Sequence, residues 1–297
     1  MLSEQRLVDA LAEALHTGSI TLERLESVSG GDINHAGVAE TSVGDFFVKW
    51  NAAAPPDLFA REFEALEVLR DSGSNLKIPE PITWEGPDGA SSPGFLVMEY
   101  VPSAAKSTDW QERYGRGLAQ LHRTTSQTFG FDHDNYCGTT PQPNEWANDW
   151  VAFYRDQRLQ PLFERVCTRR SVTSDQKRQF EVLLERLPSF LGGDDEPPAL
   201  IHGDLWSGNL HTDEDGHPAI LDPAAYYAHR EAEFGMITLF GQWSERTRAA
   251  YDEIWPMPKD WRDRNPLYRL YHVLNHYLLF GGAYGAQSFA IVERFVD

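Results

Sequence analysis

Residues 200–223 concentrate the side chains best suited to chemistry. Two short apolar runs, Ala199–Ile201 and Ala219–Leu221, each deliver a polar cluster with an acid in it. The first is followed by His202-Gly203-Asp204-Leu205-Trp206-Ser207-Gly208-Asn209, the second by Asp222-Pro223. Between them Thr212–Pro218, rich in Asp, Glu and Gly, reads as a hairpin turn. That arrangement brings Asp204, Asn209 and Asp222 into one small volume. An acid that accepts or orients a hydroxyl proton, an amide five positions later and a second acid on the next strand are the working parts of phosphoryl transfer. Asp204 is then the catalytic base. Asn209 and Asp222 are oxygen ligands for Mg2+, a hard cation that prefers oxygen.

The parts that must face this cluster lie earlier in the chain. Gly30-Gly31-Asp32-Ile33-Asn34 is a glycine-rich turn between two strands, and glycines let backbone N–H groups approach a phosphate. We assign Gly30, Gly31 and Asn34 to ATP phosphate binding. In Phe46–Trp50 a lysine interrupts an apolar strand, with Val48 and Trp50 on one face and Phe47 and Lys49 on the other. A phosphate-side lysine on the third strand needs an acid to hold it. Leu58–Arg70 is strongly helical; Leu66 and Leu69 follow Glu62 at i+4 and i+7, so Glu62 shares their inward stripe. Glu64 and Glu67 fall elsewhere on the wheel and read as solvated. The strand ending at Met98-Glu99-Tyr100-Val101-Pro102 is where two lobes would join, with the Glu99 carbonyl and the Val101 N–H facing the adenine edge.

These assignments need elements to carry them. Residues 3–16 have helical spacing with Ser3 as N-cap. Strands are expected at 22–29, 37–41, 45–50, 78–85 and 95–100, and helices at 108–126, 144–168, 174–190, 230–241 and 263–282. A β-rich front followed by mostly helix is an α+β order. The expectation is a two-lobed, protein-kinase-like fold, with a small antiparallel N-terminal lobe over residues 1–101 and a larger helical lobe over 102–297.

The chain has 297 residues, 41% hydrophobic, enough for a substantial core. Its net charge of −19 argues against a nucleic-acid partner and favours cationic or neutral substrates. The N-terminus lacks signal-peptide order and no apolar run approaches a membrane span, so a soluble, cytoplasmic protein with no membrane partner is expected. A monomer is the expected state. Cys137 and Cys167 form no CxxC and read as idle or buried thiols. His272 and His276, an i, i+4 pair with no third ligand suggested nearby, read as core or surface histidines. His202 reads as a structural ring in its loop. Trp206, in a polar loop, reads as a substrate wall, with packing as the other reading.

The chain resembles the fructosamine kinase (ketosamine-3-kinase) family, a branch of the protein-kinase-like superfamily close to aminoglycoside phosphotransferases. The resemblance spans nearly the whole chain. It rests on Ser29–Asn34, Phe46–Asn51, Met98–Val101, Gly117–His122, Trp150–Pro161, His202–Asn209 and Asp222–Glu231. It implies ATP-dependent phosphorylation of the 3-hydroxyl of a ketosamine, a sugar joined to an amine by glycation, after which the amine is released. The implied roles are Asp204 as base, Asn209 and Asp222 on magnesium, Lys49 and Glu62 at the phosphates, and Trp206 against the sugar. His229, in the run after the second acid, is placed on the substrate side. The alternative is an aminoglycoside- or choline-type phosphotransferase. A catalytically dead nucleotide-binding scaffold is a third reading, disfavoured because no needed acid is missing. Two places depart from the family pattern: Asp32 in the glycine turn, and Glu233-Phe234-Gly235, which bears on how the catalytic loop is braced.

Overall fold

A computed structural model describes residues 2–28, 34–88, 92–193, 196–240 and 243–296. The chain opens with α1 (Glu4–Ala14), started by Ser3, whose Oγ accepts from the Arg6 N–H at 3.4 Å. Five strands follow around one long helix: β1 (Leu22–Val28), β2 (His35–Thr41), β3 (Gly44–Asn51), α2 (Leu58–Asp71), β4 (Pro81–Glu85) and β5 (Gly94–Glu99). They form one antiparallel sheet in the order β1-β2-β3-β5-β4. Strand alternation gives the sheet two apolar faces. Val48, Phe95 and Val97 pack with Ala39 against Leu7 and Leu11 of α1. Leu96 and Met98 point the other way, into a cluster shared with Leu66 and Leu69 of α2. Register pairs Lys49 with Leu96, so Lys49 lies on this second face.

That second cluster does not end with the sheet. It continues through Leu118 and Leu121 of α3 (Trp110–His122) to Ala199, Leu205, Ile220 and Phe234. One core therefore joins the sheet to the loop carrying Asp204. The remaining elements, in order, are β6 (Asn135–Cys137), β7 (Thr140–Gln142), α4 (Trp150–Tyr154), α5 (Gln160–Arg169), α6 (Ser174–Leu191), β8 (Ala199–Ile201), β9 (Leu210–Thr212), β10 (Pro218–Ile220), β11 (Tyr226–Ala228), α7 (Glu231–Leu239), α8 (Glu245–Asp252), α9 (Trp261–Phe280) and α10 (Tyr284–Val296). A third cluster gathers α4, α5, α6, α9 and α10 around Phe163, Phe180, Leu274 and Val292. Among the described residues no helix is long and apolar enough to cross a membrane.

The hairpin expected around 212–218 forms between β9 and β10. Asp213 shapes it: its Oδ1 accepts from the N–H groups of Asp215 and His217 at 3.0 and 2.7 Å. The run Ala199–Ile201 pairs instead with β11, which follows Asp222.

The helix expected over 144–168 is divided. Asp149 caps its true start, accepting from the Ala152 N–H at 2.7 Å. A π-turn over Arg155–Leu159 then separates α4 from α5. Pro161 follows directly; it has no N–H to donate and its ring crowds a regular helical turn, which the wider π-turn relieves. The same turn aims the fully buried Arg158 inward, onto Asn144 Oδ1 at 2.6 Å and over the Tyr226 ring at 3.9 Å. The short helix α8 and the terminal α10 lie outside the expected elements, as do β6 and β7. Helix α8 is mostly polar, with Thr247, Ala250 and Tyr251 buried against α3.

The α3–α8 contact is close enough to test. A Cβ at Gly115 would lie 2.1 Å from the Thr247 carbonyl oxygen. Gly115→Ala is expected to destabilise by roughly 1–3 kcal/mol, the usual cost of overpacking, read as a lower urea midpoint at unchanged slope.

Candidate active site

Lys49 is the centre of charge. Its side chain is 6% exposed, and the ammonium donates to Glu62 Oε1 at 2.6 Å and to Asp222 Oδ1. Strand β3 supplies the lysine, α2 the glutamate and the turn after β10 the aspartate. Burial works against the Lys49 charge, but Asp222 and Glu62 more than offset it and hold the ammonium above its ordinary range. Glu64 instead pairs with Arg61 on the same helix, and Glu67 is exposed. Asn34 joins this end of the sheet: its Oδ1 accepts from Asn51 Nδ2 at 3.0 Å, two residues past Lys49. Gly30 and Gly31, assigned to the phosphate turn, lie outside the described residues, as does Asp32.

Asp222 has φ 59°, a left-handed conformation uncommon away from glycine. Such a residue costs of order 1–3 kcal/mol unless its surroundings fix it. Here the Leu221 N–H donates to the Asn209 carbonyl at 2.9 Å and the Ala224 N–H to the His202 carbonyl at 2.9 Å, tying both flanks to the Asp204 loop. Asp222 keeps 45% of its side chain exposed while one oxygen meets Lys49.

The Asp204 loop is braced from beneath. Glu233 on α7 accepts from the backbone N–H of His202 at 2.5 Å and of Gly203 at 3.1 Å. His202 is fully buried; its Nε2 meets the Leu221 carbonyl at 2.8 Å and its Nδ1 the Asp204 N–H at 3.3 Å. Desolvation lowers its pKa, so the ring is neutral, with Nε2 carrying the proton. Gly203 has φ +84°, and a Cβ there would lie 2.2 Å from the Ala224 carbonyl oxygen, so only glycine fits. Glu233 thus resolves the bracing question raised by the sequence. Its neighbour Gly235 lets α7 lie so close to α9 that a Cβ would be 2.6 Å from the Tyr268 carbonyl carbon.

Asp204 itself is partly exposed. Burial, with Asp222 and Glu233 nearby, pushes its carboxyl up to about 7, while the Asn209 amide pulls the other way. Asn209 Nδ2 donates to the Asp204 carbonyl oxygen at 2.8 Å. The Asn209 amide oxygen and the Asp222 carboxylate are both hard oxygen donors, a set that suits magnesium.

Trp206 lies at the rim. Its ring is half-buried against Phe240 at 5.5 Å, and Phe240 leads on to His276 at 5.8 Å and Tyr284 at 4.9 Å beyond. The ring crosses Gly208 so tightly that a Cβ there would lie 2.3 Å from it. Glu99 closes β5, its carboxylate paired with Lys77, and Val101 gives its carbonyl to His211 Nε2 at 3.1 Å.

His229 needs correction. It is 3% exposed, stacked on Tyr268 at 6.1 Å and tilted over Trp150, with its Nδ1 accepting from the Glu231 N–H at 3.3 Å. It packs the helical core and does not face substrate; no periodic pattern around it betrays that burial. Arg230 and Glu231 are likewise buried, on Glu196 and Arg264. The structure also brings Cys137 and His272 beside Asp204, which no local pattern signals.

A sheet-borne lysine held by a helix-borne glutamate, opposite a loop with an acid, an amide and a second acid, defines a kinase-like phosphotransferase. Solved structures agree. A candidate fructosamine-3-kinase from Thermobifida fusca superposes with a TM-score of 0.86 at 31% identity, covering 98% of both chains. The aminoglycoside phosphotransferase APH(4)-Ia shares the fold at a TM-score of 0.63 and 16% identity, over 93% of this chain and 94% of that one. The fructosamine kinase family model matches residues 5–297, and the chain belongs to that family. It is 38% identical over 275 residues to a chloroplast protein-ribulosamine 3-kinase of Oryza sativa subsp. indica, covering 92% of this chain and 78% of the relative. It is 34% identical to a Vibrio cholerae protein named as a probable ketoamine kinase, over 99% and 98% of the two chains.

Two outcomes follow from this geometry. The folded-state pKa of Asp204 lies above the usual 3.8, so its ionisation costs stability, a cost absent below about 4 and complete above about 7. Asp204→Asn is therefore expected to lose roughly 10²–10⁴-fold in turnover while melting above the parent at about pH 8, the gap shrinking toward about pH 5. Equal melting temperatures at both pH values contradict this. Gly208→Ala must displace the Trp206 ring and is expected to raise the KM for the phosphate acceptor more than the KM for ATP, in steady-state assays varying each in turn.

Proposed function

We propose that the protein uses ATP and Mg2+ to phosphorylate the 3-hydroxyl of ketosamines, the ribulosamine and fructosamine adducts of amines. The observation that carries this reading is the joint placement of the Lys49–Glu62–Asp222 cluster and an Asp204 carboxyl poised near neutrality. The family membership and the names of the relatives support the acceptor class. The aminoglycoside phosphotransferase solved with AMP-PNP supports the donor class.

In this reading Lys49, oriented by Glu62, engages the α- and β-phosphates, and Gly30, Gly31 and Asn34 are assigned to the phosphates as well. Glu99 and Val101 offer backbone groups to the adenine. Asn209 and Asp222 would hold Mg2+, which supplies charge neutralisation for the transferred phosphoryl group. Asp204 orients the sugar hydroxyl and accepts its proton as the oxygen attacks. A carboxylate with a pKa near the working pH combines the ionised form with the strongest available proton acceptance. Trp206 presents its indole face to the sugar, and the chain's net charge of −19 suits an acceptor bearing an amine.

The deciding measurement incubates the protein with ATP, Mg2+ and a panel of glycated amines, then reads product mass. Gain of one phosphoryl group on ribulosyl- or fructosyl-lysine, lost in Asp204→Ala, is expected. Phosphorylation of an amino sugar or amino alcohol but of neither adduct overturns the acceptor assignment. The pH profile of kcat/KM should fall below about 7, because only ionised Asp204 accepts the proton. A profile flat down to about pH 5 contradicts the base assignment.

A further inference from the structure

Cys137, Asp204 and His272 reach one point from three elements: the end of β6, the loop after β8 and the middle of α9. Each offers one ligand atom, and these atoms all lie within 4.8 Å of one another. Cys137 and His272 are 2% and 5% exposed, while Asp204 lies on the open side.

Two observations go beyond proximity. His272 Nδ1 is buried and has no hydrogen-bond partner among the described residues, an unfavourable condition that a ligand would relieve. Burial, with His276 and Arg158 nearby, pushes the His272 ring down to about 3, so it stays in the neutral form that binds metals. The sulfur is also held from behind. Asn275 Nδ2 donates to Cys137 Sγ at 3.4 Å, and Thr140 Oγ1 donates to Asn275 Oδ1 at 2.5 Å. An outer ring of hydrogen bonds of this kind orients metal ligands.

We propose that Cys137, His272 and Asp204 form an inhibitory site for a soft divalent cation, with zinc the best match, that stops the enzyme by engaging the Asp204 carboxylate. Sulfur, imidazole nitrogen and one carboxylate oxygen are a zinc set and a poor magnesium set. Tetrahedral bonds of about 2.0–2.3 Å separate ligand atoms by roughly 3.3–3.7 Å. The three donors therefore close by about 1 Å, a side-chain adjustment. Binding displaces the Cys137 thiol proton to solvent, and water completes the fourth position. Burial keeps that thiol protonated in the free protein, so the site stays silent until the cation arrives. The inhibitory effect rests on the role of Asp204 given above, whereas cation binding does not.

The test uses Co2+ as a spectroscopic probe and Zn2+ as the inhibitor, on the full chain with excess Mg2+. Co2+ is expected to give a thiolate-to-cobalt charge-transfer band, lost in Cys137→Ser and weakened in His272→Asn. With saturating Mg2+ and ATP, zinc should inhibit the parent, and either substitution should weaken that inhibition by at least roughly 10-fold with zinc-free turnover retained. Circular dichroism confirms folding, and each variant serves if the other misfolds. No band, or a band that survives Cys137→Ser and disappears in Cys167→Ser, overturns the site. Equal zinc inhibition in parent and both variants also overturns it. A band without zinc inhibition overturns the inhibitory role, and turnover of Asp204→Ala then tells whether the base assignment has failed with it.

Discussion

The Lys49 ammonium, buried between Glu62 and Asp222, is the constraint on which the rest of the site depends. A charge this far from water is stable only while its partners remain in place. Removing one partner of a buried pair commonly costs about 3–5 kcal/mol, since the other charge is left uncompensated. Those partners come from a helix of the sheet lobe and from the turn beyond β10. The ion cluster therefore links the sheet and its helix to the turn that carries Asp222. The shared apolar cluster beneath it, from Leu66 and Leu96 to Ile220 and Phe234, fixes the spacing that lets both side-chain contacts form together.

The acid opposite follows a different logic. The Asp204 carboxyl is pushed up at the expense of stability, by burial and by two neighbouring carboxylates. Its loop tolerates this because the backbone is over-determined. Glu233 takes two N–H groups, His202 bridges to Leu221, and Gly203 adopts a conformation and an approach that no side chain permits. Asp222 is held in its left-handed conformation through the same loop. Strain and unfavourable ionisation are thus gathered at Asp222 and Asp204 and offset by hydrogen bonds one layer away.

Much of this was legible from local pattern. Glu62 announced itself through its spacing from Leu66 and Leu69, and Lys49 by interrupting an apolar strand. The hairpin before Asp222 was marked by its Asp and Gly residues. Elements without such signals were missed. Helix α8 buries few residues and shows little apolar stripe. The π-turn between α4 and α5 was read as part of one helix, although Pro161 stands next to it, and its outcome, Arg158 placed over Tyr226, joins residues far apart in sequence. His229 looked substrate-facing because it follows the second acid, yet the chain turns into α7 at that point and carries the ring into the core.

By itself the sequence determined the reaction class, the antiparallel sheet placed ahead of a mostly helical part, and the grouping of Asp204, Asn209 and Asp222. Those features depend on periodicity, turn chemistry and residues close together in the chain. Only the tertiary structure decided how the base is braced, through a glutamate on α7 and a close α7–α9 crossing. It also decided that an unremarkable cysteine and a core histidine meet at Asp204. Cys137, Asp204 and His272 belong to segments with no shared pattern. Their meeting is set by how β6 and α9 pack around the Asp204 loop, a long-range geometry that no local spacing encodes.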